Sequence, residues 1–257
     1  MKIFTINIRT IIWGLGLMCG VLVVAVFLVG SNVFGATPPG RDNLPIYRVG
    51  LAENDKRIAI TFDNAWGADD IPDILNSLEK YNAKATFFVL GTWAEKFPDV
   101  VKNISDAGHE IANHSYAHHH PTKLNAQELA NEINKCNEAI KNVTGKDCNI
   151  YRAPYGEYND FVVKGARDNG MYIIQWDVDS LDWKSEMTAK AIYQRIVGKV
   201  KPGSIVLFHN DTEHTKEILP EILEKLTADG YKSVTVSELI YMENYTIDNQ
   251  GEQKQVK

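Results

Sequence analysis

Two histidines four residues apart form the pattern in this sequence that most directly suggests chemistry. On a helical turn, His114 and His118 would lie on one side, where both imidazoles can bind one metal ion. The alternative is a pair of surface histidines on a loop, and His119 and His120 weaken the signal because a histidine-rich stretch readily contains such a pair. A carboxylate and a further histidine arriving at the same place would favour the metal site.

Asp63 supplies a candidate carboxylate. It ends a mostly apolar run, residues 57–62, where a carboxylate is costly unless it is paired or bound to a metal. We interpret it as a base that deprotonates water activated by a metal; alternatively, it caps a helix that begins near Asp69, although several residues intervene. Arg152 could pair with Asp63 and hold it ionised, or form only a structural salt bridge.

His209 is the further histidine, and it follows the apolar run 204–208. It is a candidate acid for protonating a leaving amine, with its pKa tuned by a carboxylate such as Asp182. Trp183 and Leu207 would wall the same site, although apolar residues at such positions belong to the core by default. Together these groups suit hydrolysis assisted by a metal ion.

Secondary-structure elements must position these residues, and each residue lies at or near the end of a short β-rich run. Seven such runs occur, at residues 57–62, 83–90, 109–113, 149–153, 171–178, 204–208 and 231–236. Helical spacing separates the runs: Gly108, Gly170 and Gly230 are typical helix stops, and Asn125 with Glu128 resembles a capping box. This alternation predicts an α/β fold with parallel strands, as a barrel or a doubly wound sheet. We favour a barrel of about seven strands, because polar residues after most strands would converge on one face.

Five clusters at the ends of these runs resemble the five motifs of the NodB-homology polysaccharide deacetylases, carbohydrate esterase family 4, in order and spacing. The clusters are residues 61–64, 114–118, 152–156, 177–183 and 207–211. The resemblance covers residues 57–240 and is specific as a set, although no single motif would be. Residues 62–67 and 175–183 further resemble the sporulation deacetylase branch, the PdaB type. The family fold that this implies is a distorted (β/α) barrel without the full eight repeats.

The resemblance implies roles around a metal. Asp63 matches the catalytic base, and Arg152 matches the residue that orients the base. His114 and His118 match the metal-binding histidines, usually for zinc, with cobalt, manganese or another divalent ion also tolerated. Asn64 takes the place of the third metal ligand, where the family usually has aspartate.

The resemblance also implies roles around the substrate. The backbone near Tyr155 would help to hold the oxyanion. His209 matches the general acid, Asp182 the carboxylate that tunes it, and Trp183 with Leu207 the acetyl pocket. The implied reaction removes N-acetyl groups from cell-wall polysaccharide, with peptidoglycan amino sugars as substrate and spore or wall modification as its context. Another amide or chitin oligomers are the alternative substrates, because a fold alone does not select a substrate.

Asn64 motivates a second hypothesis. A neutral amide is a poorer zinc ligand than a carboxylate, so we expect a weakened metal site. The protein would then be a membrane-tethered, glycan-binding pseudoenzyme. Asp63, Arg152, Asp182 and His209 are all retained, however, and their presence favours an enzyme.

The N-terminus predicts that the working domain lies outside the cytoplasm. Residues 11–30 carry no charged side chain and, at about 20 residues, are long enough to cross a bilayer core. Basic residues precede this segment and none follows until Arg41, which predicts a cytoplasmic segment 1–10 and a single-pass anchor in the cell membrane. A cleaved signal peptide is the alternative, but Phe34 is bulky where cleavage needs a small residue. We expect a linker and lead-in over 31–56, the deacetylase domain over 57–243 and a polar, frayed tail over 244–257.

Composition argues against nucleic acid as a partner. The 257 residues carry a formal net charge of −6, without the basic footprint that nucleic-acid binding needs. This length suits one domain with an appendage, and we expect a monomer. For Cys136 and Cys148, in the exported part, a disulfide and two free thiols are both compatible with the sequence.

Overall fold

The structure is a computed structural model that describes residues 44–256. Its strands are β1 (Arg48–Val49), β2 (Arg57–Asn64), β3 (Ala85–Val89), β4 (Glu110–Asn113), β5 (Ile150–Tyr151), β6 (Tyr172–Ile173), β7 (Val178–Asp179), β8 (Ile205–His209), β9 (Lys232–Val234), β10 (Tyr245–Ile247) and β11 (Glu252–Gln255). Its helices are α1 (Ile71–Lys80), α2 (Gly91–Lys96), α3 (Pro98–Asp106), α4 (Ala126–Thr144), α5 (Asp160–Asp168), α6 (Ala189–Val197), α7 (Thr215–Ala228) and α8 (Val236–Leu239). Short 3₁₀ turns occupy Pro121–Lys123 and Pro154–Gly156.

One parallel sheet organises the domain. Its strands follow the order β6-β5-β4-β3-β2-β8-β7, and β9 also pairs with β2. All of these pairings are parallel, with helices in the crossovers, which confirms the predicted α/β class. The predicted run 171–178 forms two strands, β6 and β7, which lie at opposite ends of the sheet. Within residues 44–256 these two strands do not pair with each other, so the barrel is an open, curled half-barrel.

The curl of the sheet is visible in a contact between strands three places apart. In a flat sheet, β5 and β2 would lie about 14 Å apart, which is further than an arginine and an aspartate side chain together span. Arg152 directly follows β5, yet its Nη1 lies 2.7 Å from Oδ1 of Asp63 in β2. Curling therefore brings the C-terminal ends of the strands toward one another.

The lead-in to β2 covers the open side of the sheet. Ile46 forms a parallel bridge with Ile174, just after β6, and Arg48 forms an antiparallel bridge with Ser204, just before β8. Both bridges need extended backbone, which the short strand β1 continues. The lead-in thus connects one edge of the sheet to an inner strand.

Apolar side chains pack on the helix-covered face of the sheet. Ile60 and Phe62 of β2 belong to the large cluster beneath the helices, and the ring of Phe62 stacks on Phe87 at 4.9 Å and on Phe208 at 5.7 Å between centroids. Side chains alternate between the two faces of a strand, so Asp63 points away from this cluster. Because of this alternation, the Asp63 carboxylate lies on the concave face of the sheet, opposite the helix-covered core.

Two kinds of predicted helix boundary are confirmed. At the start of α4, Oδ1 of Asn125 accepts from the Glu128 amide at 3.0 Å and Oε2 of Glu128 accepts from the Asn125 amide at 2.8 Å. Gly108, Gly170 and Gly230 each follow the end of a helix, and their φ angles are 78°, 74° and 85°, respectively. These local signals set where the crossovers begin and end.

The C-terminal residues correct an expectation. The tail 244–257 was expected to fray, but β10 and β11 form an antiparallel pair, and β11 pairs in parallel with β1. Gln253 of β11 is fully buried, and its side chain donates to the carbonyl of Tyr241 at 2.6 Å and accepts from the Tyr241 amide at 2.8 Å. Polar side chains satisfied in this way give no hydrophobic periodicity, which is why the sequence pattern did not indicate strands.

Two further expectations concern the ends of the chain and the cysteines. The segment 1–10 and the predicted anchor 11–30 lie outside the described residues. Across residues 44–256, no helix combines the length and hydropathy needed to span a membrane. Cys136 and Cys148 are both free thiols, and burial raises the pKa of each.

Candidate active site

A cavity of about 830 Å³ opens at the C-terminal ends of the parallel strands. Loops that follow β2, β4, β5, β7 and β8 form its walls. Eight of the ten predicted site residues line it, namely Asp63, His114, His118, Tyr155, Asp182, Trp183, Leu207 and His209. The other two, Arg152 and Asn64, are fully buried. Most of the predicted site residues therefore meet at the C-terminal ends of the strands, as the sequence predicts.

Asp63 is held in place by Arg152. The wholly buried guanidinium donates through Nη1 to Oδ1 of Asp63 at 2.7 Å and to Oγ1 of Thr61 at 2.9 Å. It also donates through Nη2 to the carbonyl of Gln175 at 3.2 Å and lies 3.9 Å above the ring of Phe88. Burial alone would raise the pKa of Asp63, but the nearby positive charge, chiefly that of Arg152, brings it below its ordinary value. The result is an ionised carboxylate with a fixed orientation.

One ring nitrogen of His114 contacts the protein backbone, and the other lies near Asp63. Its Nδ1 lies 3.0 Å from the carbonyl of Arg152, and because a carbonyl can only accept, Nδ1 carries the proton. Nε2, left with a free lone pair, lies 3.6 Å from Oδ2 of Asp63. The His118 ring lies 5.2 Å from the His114 ring between centroids. Burial lowers the pKa of both histidines, that of His118 to about 4, so both are neutral near pH 7 and can act as nitrogen ligands.

The loop that carries these histidines is fastened to α4. Ser115 and His118 have φ of 74° and 61°, a region that residues other than glycine occupy only at a cost. Glu132 of α4 accepts through Oε2 from the Ser115 hydroxyl at 2.6 Å and the Ala117 amide at 2.9 Å, and its Oε1 lies 3.1 Å from Nδ1 of His119. The sequence reasoning missed Glu132, whose only signal was a carboxylate on the apolar side of a predicted helix.

Asn64 ends β2 and does not line the cavity. Neither its Oδ1 nor its Nδ2 has a hydrogen-bond partner among the described residues, whereas buried amides normally have one. Two imidazoles and an amide oxygen are ligand types that can hold a divalent ion, but Asn64 does not line the cavity at which the two histidines lie. In the described part of the chain, however, no three His, Cys, Asp or Glu side chains form a metal-binding group. Of the three predicted ligands, His114 and His118 are the two that line the cavity.

His209 and Asp182 form a second pair beside the first. Nδ1 of His209 lies 2.8 Å from Oδ1 of Asp182, and the His209 amide donates to Oδ2 of Asp182 at 2.8 Å. The Thr215 hydroxyl donates to the same Oδ2 at 2.6 Å, which leaves Asp182 well satisfied although it is buried. Burial alone would lower the pKa of His209, but the hydrogen bond and charge of Asp182 raise it above its ordinary value. The pair therefore favours a protonated imidazole, and His209 lines the cavity.

The remaining predicted residues form walls and a rim. Leu207 is 2% exposed and contributes an apolar patch of wall. Trp183 is exposed at the rim, as is Tyr155. The Tyr155 ring stacks on His120 at 4.2 Å and meets His118 edge-on at 4.4 Å between centroids. Tyr155 has φ of 59°, so its turn holds the backbone in a constrained conformation beside His118 and His120.

Among the lining residues without a predicted role are Trp66 and Asp211. Trp66 is the most exposed large apolar side chain among the described residues, at 70%, and its ring lies 6.3 Å from that of His118. Asp211, in the loop after β8, accepts through Oδ2 from the amide of Gly67 at 3.0 Å. Trp66 lies within the stretch 62–67 that resembles the sporulation branch, but that resemblance assigned it no role in the site.

Comparison with known proteins identifies the family. A family model described as polysaccharide deacetylase matches residues 51–174. The peptidoglycan-N-acetylglucosamine deacetylase of Bacillus cereus (strain ATCC 14579) is 37% identical over 187 residues, which are 71% of this chain and 68% of that protein. The peptidoglycan-N-acetylmuramic acid deacetylase PdaA of Bacillus subtilis (strain 168) is 32% identical over 190 residues, 73% of this chain and 72% of that protein.

Solved structures give the same fold. BA3943 from Bacillus anthracis, described as a CE4 family pseudoenzyme, matches with a TM-score of 0.72 and 37% identity, over 77% of this chain and 69% of that one. Some curated relatives are much longer, and the match spans 46% or less of their length. This chain belongs to the polysaccharide deacetylase family, carbohydrate esterase family 4, hydrolases that act on carbon–nitrogen bonds.

Proposed function

We propose that this protein hydrolyses the N-acetyl amide of peptidoglycan amino sugars, releasing acetate and leaving a free amine on the glycan. The observation that carries the proposal is the placement of two ion pairs at one cavity. Asp63 and His209 occupy partner positions on the adjacent strands β2 and β8, so their Cα atoms are only about 5 Å apart. One acetamide group can therefore contact both side chains.

In this proposal Asp63 is the base. Arg152 holds it ionised and occupies Oδ1, so that Oδ2 is the oxygen free to take a proton. The attacking water gives that proton to Asp63 while its oxygen forms a bond to the acetyl carbon. The negative charge that develops on the carbonyl oxygen would be met by the backbone next to Tyr155.

His209 is the acid of the same reaction. Its Nδ1 is engaged by Asp182, so the proton available for transfer is the one on Nε2. As the bond between the acetyl carbon and the sugar nitrogen breaks, His209 protonates that nitrogen and the amine leaves. Leu207 and Trp183 would enclose the acetyl methyl group and exclude bulk water from it.

We further propose that His114, His118 and the amide of Asn64 hold a divalent metal ion, zinc by preference, with cobalt or manganese as substitutes. When bound, such an ion polarises the acetyl carbonyl and increases the acidity of the attacking water. Support comes from the neutral imidazoles, from the orientation of His114 by the carbonyl of Arg152, and from the unpartnered amide of Asn64.

The cellular setting is also part of the proposal. The uncharged segment 11–30 supports a single-pass anchor that leaves the domain outside the cell membrane. The motifs at 62–67 and 175–183 support the sporulation branch of the family, and hence a spore or wall role. We propose that the protein acts as a monomer. Relatives named for N-acetylglucosamine and for N-acetylmuramic acid leave both sugars as candidate substrates.

A second candidate function is glycan binding without turnover. Asn64 in place of the usual aspartate favours it, as does the similarity to BA3943, which is described as a pseudoenzyme. A BA3943 mutant is described as having restored enzymatic activity, so in that protein the loss is reversible by substitution. The intact pairs Asp63–Arg152 and His209–Asp182 favour the enzyme in the present chain.

The test is a metal add-back experiment on purified peptidoglycan. The full-length protein in detergent would be stripped of metal, reloaded singly with zinc, cobalt or manganese, and incubated with sacculi. Mass spectrometry of the resulting muropeptides would detect species one acetyl group lighter, and fragment masses would identify the sugar. Asp63→Ala is the matched control.

The two functions predict different results. Acetyl loss that requires both a metal and Asp63 supports the deacetylase. No acetyl loss with any metal, from protein that still binds sacculi, would reject deacetylation and support the binding protein.

A further inference from the structure

Gln175 is a buried polar residue beside the active site to which the proposed reaction assigns no role. It lies between β6 and β7, where the chain leaves one edge of the sheet for the other, and it is 2% exposed. Burial of a side-chain amide is costly unless hydrogen bonds satisfy it. The partners of Gln175 therefore show which groups it holds in place.

The side chain of Gln175 holds the turn that follows β5. Its Nε2 donates to the carbonyl of Gly156 at 3.0 Å. Tyr155 and Gly156 are successive residues with left-handed backbone conformations, at φ of 59° and 65°, and both line the cavity. Such a conformation is unfavourable for tyrosine, so contacts from the surrounding structure must stabilise it. The hydrogen bond from Gln175 is one of these contacts, and it reaches the turn whose backbone would meet the oxyanion.

The residue after Gln175 packs against the same turn. A Cβ at position 156 would lie 2.9 Å from Cη2 of Trp176, so the indole lies directly against Gly156 and leaves no space for a side chain there. Trp176 also lines the cavity, and its ring centroid lies 5.5 Å from Cζ of Arg152. Gly156 is thus fixed by packing against Trp176 and by the hydrogen bond from Gln175.

The backbone of Gln175 is itself held on both sides. Its amide donates to the carbonyl of Ile46 in the lead-in at 2.8 Å, and its carbonyl accepts from Nη2 of Arg152 at 3.2 Å. Arg152 is the residue that holds Asp63 ionised. Gln175 therefore contacts the guanidinium that orients the base through its backbone, and the turn proposed to meet the oxyanion through its side chain.

We propose that Gln175 is a positioning residue, which sets the backbone of the turn at residues 155–156 for the oxyanion of the deacetylation step. The inference rests on the proposed function, because that step creates the oxyanion. Backbone donors stabilise a developing charge only when they are aimed at its position, and a displacement of about 1 Å can cost about a hundredfold in rate. The intact acetamide carries no full charge on its oxygen, so Gln175 contributes to the rate and little to substrate affinity.

Gln175→Met tests this role, because it keeps the length of the side chain and removes the amide donor. With zinc-loaded, full-length protein and an N-acetylglucosamine tetramer as substrate, acetate release should show kcat lowered by about tenfold to a hundredfold and KM within about twofold of the parent. Gln175→Asn, which is one methylene too short to reach Gly156, should show the same loss and provides a second variant if the first does not fold.

A matched change at an exposed glutamine makes the kinetic result specific. Gln194→Met, on α6, should alter neither constant. Melting temperatures of the Gln175 variants equal to that of the parent would show that the fold is intact. With the fold intact, a kcat equal to that of the parent, or a loss carried by KM alone, would overturn the positioning role.

A binding measurement separates this inference from the proposed function. In an Asp63→Asn background, calorimetry would compare the N-acetylglucosamine tetramer with the same tetramer carrying a methylphosphonyl group in place of one acetyl group, whose tetrahedral, charged oxygens stand in for the oxyanion. Adding Gln175→Met should weaken binding of the phosphonyl tetramer by about tenfold and leave the acetyl tetramer unchanged. Equal effects on both tetramers or on neither would overturn the positioning role, as would a parent that binds neither, whereas acetyl loss from sacculi reports on the proposed function separately.

Discussion

Asp63 and His209 are strand partners, yet their pKa values move in opposite directions. Asp63 faces Arg152, and the guanidinium favours the ionised carboxylate. His209 faces Asp182, and the carboxylate favours the protonated imidazole. In each case a charged residue from another loop favours one protonation state of the residue on the strand. These opposite shifts suit the proposed roles of Asp63 as base and His209 as acid.

The pH dependence of the rate should reveal this division. His209 must be protonated to act as the acid, so kcat/KM should fall as the pH rises through its raised pKa. Asp182→Asn removes the charge that raises this pKa, and the alkaline limb of the profile should move to lower pH. Acetate release measured across pH gives the profile. Asp168→Asn, an exposed change on α5, should leave the limb in place; an unmoved limb in Asp182→Asn would mean that another group supplies the proton.

Asn64 is the residue at which metal affinity should be adjustable. Asn64→Asp supplies a charged oxygen where the amide now has no partner, so zinc affinity should rise by about tenfold or more, since even outer-shell changes alter metal affinity by about 10–100-fold. Competition with a chromophoric chelator measures this affinity directly. Asn103→Asp adds the same charge at an exposed position on α3 and should have no effect. Equal zinc affinity in Asn64→Asp and the parent would exclude residue 64 from the ligand set.

At the scale of elements, α4 holds the loop that carries the histidines. Ser115 and His118 adopt left-handed backbone conformations that the surrounding contacts must stabilise. Glu132 supplies these contacts from the buried side of the helix, with three polar groups of the loop around one carboxylate. The helix therefore stabilises the loop geometry in addition to covering the sheet.

Glu132→Gln tests this coupling. A neutral amide oxygen is a weaker acceptor than a carboxylate oxygen for the Ser115 hydroxyl and the Ala117 amide, so the free energy of unfolding should fall by about 1–2 kcal/mol. Urea unfolding of the purified protein measures it, and zinc affinity should fall in parallel because the histidine loop loses its support. Glu138→Gln, on the exposed side of the same helix, should change stability by less than about 0.5 kcal/mol. If Glu132→Gln left stability and zinc affinity unchanged, the loop would be self-supporting.

At the scale of the whole molecule, both ends of the domain complete the open sheet. The lead-in bridges β6 and β8, and β11 from the far end of the chain pairs with β1 of that lead-in. Gly203 marks the tightest approach: its carbonyl accepts from the Val49 amide at 2.9 Å, and its φ is 80°. The half-barrel is therefore stabilised by contacts between residues that lie far apart in the chain.

Gly203→Ala should destabilise the protein strongly. A Cβ there would lie 1.7 Å from the Val49 carbonyl oxygen, so the lead-in must move, and we expect a loss of more than about 3 kcal/mol in the free energy of unfolding. Gly145→Ala is the matched control, because it has a similar φ of 71° with open space around it and should cost only about 1 kcal/mol. Urea denaturation compares the two. Equal losses would mean that backbone conformation alone, and not the packing of the lead-in, sets the cost.

Much of this protein follows from the sequence itself. Apolar runs separated by helical segments determine a parallel α/β sheet, because each pattern reports how one segment is buried. Polar residues at the ends of those runs then share one face, as the directions of parallel strands require. The pairs Asp63–Arg152 and His209–Asp182 were anticipated on this basis, and the structure brings both together.

Tertiary structure decided the rest, because contacts between distant segments have no local signature. The separation of run 171–178 into two edge strands, the strands of the C-terminal tail and the bridging lead-in all arise from pairing partners far away in the chain. The same holds for the support of the histidine loop by Glu132 and for the contact between Gln175 and the turn at Gly156. The pattern of residue types determines what each segment can bury or donate, whereas the curl of the sheet determines which of these groups meet.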